Sequence, residues 1–120
     1  MDAIEKLRAL LIARVAPAFT VSRKRTQYAA AEDSEFFTDI DVQHPDDGFV
    51  LAVGLSRDER IDEFHRRVLH YYVPEVWQVE DENRRVITSR RGHEPVVVEG
   101  TAALRSVQMP SLVIQLAEIF

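Results

Sequence analysis

Two aspartates are the first residues with chemical potential. In Phe37-Thr38-Asp39-Ile40-Asp41-Val42, Asp39 and Asp41 stand two residues apart, a spacing that sets both on one face of an extended strand. Two carboxylates so placed can approach one hard cation, and Mg²⁺ or Mn²⁺ prefers such oxygen ligands. The same spacing equally describes two acids on the wet face of a half-buried strand. Asp62 and Arg66 are four apart and meet on a helix surface, where Arg66 could hold a phosphate or simply pair with Asp62. His65 and His70 are five apart, so one helix face cannot present both to a metal. His65 borders an apolar face and reads as a packed imidazole. Ser56 reads as a helix cap, which leaves a serine nucleophile little support. There is no Gly-rich phosphate loop, and the chain has no cysteine, which removes disulfides and thiolate metal sites.

Charge narrows the partners. The sequence carries 15 Lys and Arg against 20 Asp and Glu, a formal net charge of −5. Proteins that grip nucleic acid with their whole surface are usually basic. Here the basic residues fall in four short clusters: Arg23-Lys24-Arg25, Arg66-Arg67, Arg84-Arg85 and Arg90-Arg91. They read as solvated strand ends and helix faces, or as the lining of one local groove. The 120 residues suit one domain, 1–120, and 46% hydrophobic with 29% charged residues argues against long disorder. No apolar run approaches the ~18 residues a membrane span requires. Met1-Asp2-Ala3-Ile4-Glu5 lacks a signal peptide's apolar segment. The expectation is a cytoplasmic protein with no membrane partner.

The elements that must position these residues follow from periodicity. Ile4, Leu7, Leu11 and Val15 recur at helical spacing, Asp2 can cap, and Pro17 stops the run, so a helix is expected over 2–15. Residues 18–29 alternate in part around Phe19, Val21 and Tyr28 and read as a strand, and 29–34 as a turn. A second strand runs from Phe36 to Gln43, and His44-Pro45-Asp46-Asp47-Gly48 is a clear turn. Phe49–Leu55 is almost wholly apolar, as a central strand covered on both faces should be. Ser56-Arg57-Asp58-Glu59 has the capping-box pattern, and a helix should follow over 57–72. Its packed face would be Ile61, Phe64, Val68, Tyr71 and Tyr72, with Glu63, Arg67 and His70 pointing away. Val76–Val79 and Arg85–Ser89 read as strands around the turn Glu80-Asp81-Glu82-Asn83. Val96–Val98 and Leu112–Ile114 are further short strands, and 116–120 a last helical turn. The fold class is α/β (α+β): a central mixed sheet flanked by two helices, with a C-terminal β extension.

Specific residues sharpen this. Val73-Pro74-Glu75-Val76-Trp77-Gln78-Val79-Glu80 resembles the Gly-Val-Pro-Glu-Tyr-Trp-x-Val-Asp segment of the Uma2 family (DUF820). Asn83-Arg84-Arg85-Val86 resembles the hairpin that follows it. Met109-Pro110-Ser111-Leu112, continuing to Leu116-Ala117-Glu118-Ile119-Phe120, is similar to the family's closing Leu-Pro-Gly-Leu…Leu-Ala-Glu-Leu-Phe. Leu55-Ser56 resembles the Leu-Ser after the family's catalytic strand. The resemblance covers 49–120 by motif and 1–48 by element order. It implies a restriction-endonuclease-like core of the PD-(D/E)XK superfamily. Trp77 is then a core anchor, because a large aromatic buries much area.

The resemblance also assigns roles. It implies acids on adjacent strands holding Mg²⁺ or Mn²⁺, which would polarise a phosphate and activate water. Asp39 falls at the family's first acid, with Asp41 beside it. The second acid, two residues before the Leu-Ser, falls on Val53, and neither Ala52 nor Gly54 can replace it. The family's Asp-x-x-x-Lys pair falls on Asp62 and Arg66, with Arg in place of the lysine. The expected function is therefore a Uma2-like domain whose metal-dependent DNA cleavage is impaired or lost, and which acts by binding. The alternative is a live Mg-dependent endonuclease with a relocated acid, Glu59 or Asp62. The chain looks shortened at its N-terminus beside family members, so its strand edges are expected to pair in a homodimer. Weak nucleic-acid binding is the other expected partnership.

Overall fold

A computed structural model describes residues 2–23, 26–28 and 36–120. Helix α1 spans Ala3–Val15. Asp2 caps it as expected, its carboxylate accepting the Glu5 N–H at 2.8 Å. Leu7 and Leu11 are fully buried, and Ile4 and Val15 complete the stripe.

The strand expected over 18–29 is two short pieces, β1 (Thr20–Val21) and β2 (Thr26–Tyr28). The turn read at 29–34 lies outside the described residues. The next strand is also divided, into β3 (Phe36–Thr38) and β4 (Ile40–His44), with a bend at Asp39. His44 closes the turn to β5 (Gly48–Leu55) by accepting the Asp46 N–H on Nδ1 at 3.1 Å. Gly48 there has φ 75°, a conformation glycine takes without steric cost.

Helix α2 is Glu59–Leu69, shorter at both ends than expected. Its cap is Asp58, whose carboxylate accepts the Ile61 N–H at 2.9 Å. Ser56 is not the cap; its hydroxyl donates to Asp62 instead, at 2.6 Å. The packed face also differs. The buried residues of α2 are Asp62 and Leu69, while Phe64, Tyr71 and Tyr72 are exposed. A carboxylate can be buried here because the Ser56 hydroxyl and the Arg57 N–H, just after β5, both donate to it.

Strands β6 (Glu75–Glu80) and β7 (Arg85–Arg90) form the expected hairpin, followed by β8 (Val96–Val98). A strand not foreseen, β9 (Ala103–Arg105), pairs antiparallel with β10 (Val113–Gln115), and a 3₁₀ turn covers Leu116–Glu118. β2 and β3 pair with each other.

The main sheet has six strands in the order β1-β4-β5-β6-β7-β8. β5 and β6 are parallel and joined through α2, and the other neighbours are antiparallel. β5 is thus an interior strand, as its apolar run predicts. One core joins α1 and the C-terminal segment to the sheet through Ile40, Leu51, Val53, Trp77, Val79, Leu104 and Ile114. A smaller one joins Ala52, Val76 and Val73 to Leu69. Trp77 is fully buried. Among the described residues, no helix is long and apolar enough to cross a membrane.

Candidate functional site

Asp39 occupies the bend between β3 and β4. Its N–H donates to the Val53 carbonyl at 2.8 Å, so the backbones of the two positions touch across neighbouring strands. Its carbonyl accepts a hydrogen bond from the Arg8 guanidinium of α1. The Arg8 Nε is buried without a hydrogen-bond partner among the described residues. Arg8 was not singled out in the sequence, yet it lies in the stripe of Ile4, Leu11 and Val15, where a charged residue marks either an error of phase or a buried polar task. Val53 is fully buried in the main core.

Asp41 is 2% exposed. It pairs with Ala52 of the smaller core, whereas Ile40 and Val42 on either side belong to the larger one, so Asp41 stands on the α2 face. Its carboxylate accepts the Thr38 hydroxyl at 2.8 Å, and its N–H donates to the Ser22 hydroxyl at 2.7 Å. The bend at Asp39 interrupts the regular strand that would place it beside Asp41 on one face. Among the described residues, no three carboxylates or imidazoles come together to hold a metal ion.

The residues flagged on α2 do come together. Asp62, 2% exposed, accepts the Ser56 hydroxyl at 2.6 Å and the Arg57 N–H at 2.8 Å, one on each carboxylate oxygen. Its backbone carbonyl accepts the Gln78 side-chain amide at 3.0 Å. Arg66 does not pair with Asp62; its guanidinium donates to the other end of Gln78 at 2.7 Å. Gln78 thus links helix to sheet, and its signal was a lone amide within the apolar run Val76–Val79. Glu59 is exposed at the rim of a cavity of about 400 Å³ lined also by Ser56, Asp62, Arg66, Glu80 and Arg85. Within that lining Arg85 is paired with Glu80 at 2.7 Å.

Burial also perturbs groups the sequence reading set aside. Desolvation pushes the Glu75 carboxyl up, against the Ser106 hydroxyl (2.6 Å) and the Val107 N–H, which hold it down. The Trp77 indole N–H, which has no partner within hydrogen-bond geometry among the described residues, adds to that restraint. His70, read as pointing away, is half-buried, with its ring nitrogens against Val73 O (3.1 Å) and Ser89 Oγ (2.9 Å). Burial lowers its pKa, helped by Arg91 and Arg66 and opposed by Val73 O. His65 is lowered by burial and then by Arg57, with Asp62 opposing. Three arginines of the basic clusters are engaged locally: Arg67 with Glu63, Arg85 with Glu80, and Arg91 with His70 O. Lys24 and Arg25 lie outside the described residues.

No family model and no curated protein matches the sequence. The architecture does have a solved counterpart. A crystal structure titled a "putative nuclease belonging to DUF820", from Anabaena variabilis ATCC 29413, matches 98% of this chain and 78% of its own, with TM-score 0.74 and 14% identity. The chain has the Uma2/DUF820 fold. At that identity the shared property is the fold, and it extends across 1–48, which the motifs alone left uncovered.

Proposed function

We propose that this chain is a nuclease-fold domain in which metal-dependent DNA cleavage is impaired or lost, and which acts by binding: to a second copy of itself and, weakly, to nucleic acid. One observation carries the reading. The Asp39 N–H rests on the Val53 carbonyl at 2.8 Å, and position 53, where the family resemblance implies the second acid, bears a fully buried valine. An ion held by Asp39 and Asp41 alone would keep most of its water, leaving the attacking water and the phosphate charge without the stabilisation cleavage needs. Arg66, already bonded to Gln78, could contact a phosphate but supplies neither a base nor a metal ligand.

The relocated-acid alternative finds little support. Both Asp62 oxygens accept hydrogen bonds from the Ser56–Arg57 segment, which leaves Glu59 as the exposed candidate. The test is cleavage of plasmid and single-stranded DNA with Mg²⁺ or Mn²⁺ by wild type, Asp39→Ala, Glu59→Gln and Val53→Glu, each checked for folding by circular dichroism. No cutting by wild type is expected. Cutting by wild type that is lost in Asp39→Ala would overturn the reading, and its loss in Glu59→Gln as well would identify the substitute acid. Cutting gained only in Val53→Glu would trace the loss to one residue.

A further inference from the structure

A second cavity, of about 410 Å³, opens on the face of the sheet away from α2. Strand register builds its floor. Glu75 shares one face of β6 with Trp77 and Val79, which belong to the core shared with α1. On β7, Arg90 stands opposite Glu75 and Thr88 opposite Trp77, and β8 continues that face with Val96 and Val98. The wall comes from Ala103 and Arg105 of β9 and from Val107 beyond it. The Ser106 hydroxyl, donating to Glu75 at 2.6 Å, ties wall to floor.

Three kinds of group converge there. Glu75 is 2% exposed, and buried carboxylates are normally paired with a cation. Yet among the described residues it forms no ion pair, although Arg90 stands opposite it. Arg90 and Arg105 are exposed, and neither guanidinium pairs with a carboxylate among the described residues. Val96 and Val107, 59% and 51% exposed, supply apolar surface beside these charges. Ligand cavities combine apolar walls with a few convergent polar groups, in volumes of roughly 300–1,000 Å³.

We infer that this cavity binds a small aliphatic zwitterion of the amino-acid type, its ammonium on Glu75, its carboxylate on Arg90 and Arg105, and its side chain against the valines. Burial disfavours the charged form of Glu75, and an ammonium beside it offsets that cost. Guanidinium N–H donors match a carboxylate in geometry and charge. Among the lining residues, Glu94 at the exposed rim is the group whose charge opposes the bound carboxylate. The inference is independent of the nuclease-fold reading, because Asp41, Asp62 and Gln78 lie on the α2 side of the sheet.

Isothermal titration calorimetry tests it, with leucine and leucyl-leucine as probes and circular dichroism as the folding control. Isocaproate lacks the ammonium and isoamylamine the carboxylate, so each should bind about tenfold or more weakly than leucine. Arg90→Ala combined with Arg105→Ala, both at exposed positions, should weaken leucine by at least as much, and so should Val107→Asp. Glu75→Gln should abolish the preference for leucine over isocaproate. No binding of either probe at millimolar concentration would overturn the site. Leucine binding unchanged in the double arginine variant and in Val107→Asp would place the ligand elsewhere and overturn it too. Isocaproate binding as tightly as leucine to wild type, or a folded Glu75→Gln that keeps the preference, would overturn the role given to Glu75 and with it the zwitterion.

Discussion

At the residue scale, the structure separates groups that hold the fold from groups that could do chemistry. Trp77 belongs to the first kind. Its ring is fully buried in the main core, so Trp77→Ala should cost about 3–5 kcal/mol, read as a lowered urea midpoint. Against a total stability of roughly 5–15 kcal/mol that is a large share. Glu75 gives a pH signature. Burial raises its pKa above the ordinary 4.5, so the folded chain keeps this proton longer than the unfolded chain does. The stability it contributes is therefore fully present below that ordinary value and is lost as pH rises through the folded pKa. Urea midpoints of Glu75→Gln should thus gain on wild type as pH rises from about 4 towards neutrality, and parallel curves would show that the carboxyl titrates normally. Trp77 was legible because an aromatic in a strand-like run has one common use. Arg8 and Gln78 were less so: their type suggests solvent, and only their place inside apolar stripes hinted at the inward contacts they make.

Elements were legible where one period dominated. The 3.6 repeat of α1 and the unbroken apolar run of β5 each identified their segment, and β5 came out interior to the sheet. The strand over 36–43 was read as continuous because nothing in the sequence announces a bend at Asp39; the break comes from tertiary contacts, the Arg8 and Val53 hydrogen bonds. For α2 the apolar stripe was assigned to the core by default, and the error lies in treating Asp62 as solvated when Ser56 and Arg57 of the β5–α2 connection satisfy its carboxylate and Gln78 its backbone carbonyl. The capping reading failed by two residues for the same reason, since Ser56 is committed to Asp62. Asp58→Ala should therefore destabilise by about 1 kcal/mol through the lost Ile61 N–H bond. Ser56→Ala should act differently, by leaving a buried carboxylate short of one donor. Urea unfolding of the two variants compares these effects; a Ser56→Ala cost well below that of Asp58→Ala would show that the hydroxyl contributes little.

At the scale of the whole molecule, ion pairs and hydrogen bonds tie distant segments to one another. Arg14 joins α1 to Glu118 and, at 2.9 Å, to the Val113 carbonyl, while Glu75 joins β6 to Ser106. If no ion is part of the resting fold, millimolar Mg²⁺ or a chelator should leave the thermal midpoint unchanged. A clear upward shift with Mg²⁺ would instead reveal a site of useful affinity, because any ligand that prefers the folded state raises its stability. The parallel pairing of β5 with β6 has a further consequence, in the order of assembly. The β6–β7 hairpin closes over a short turn, whereas β5 can register on β6 only after everything from Ser56 to Pro74, α2 included, has crossed the sheet. Local contacts form ahead of those that must close long loops. The Asp39–Val53 junction is of the first kind, because β4 and β5 pair across the turn at 45–47, so this part of the candidate site can take shape early, while the β5–β6 pairing beside it waits for the crossover to be complete.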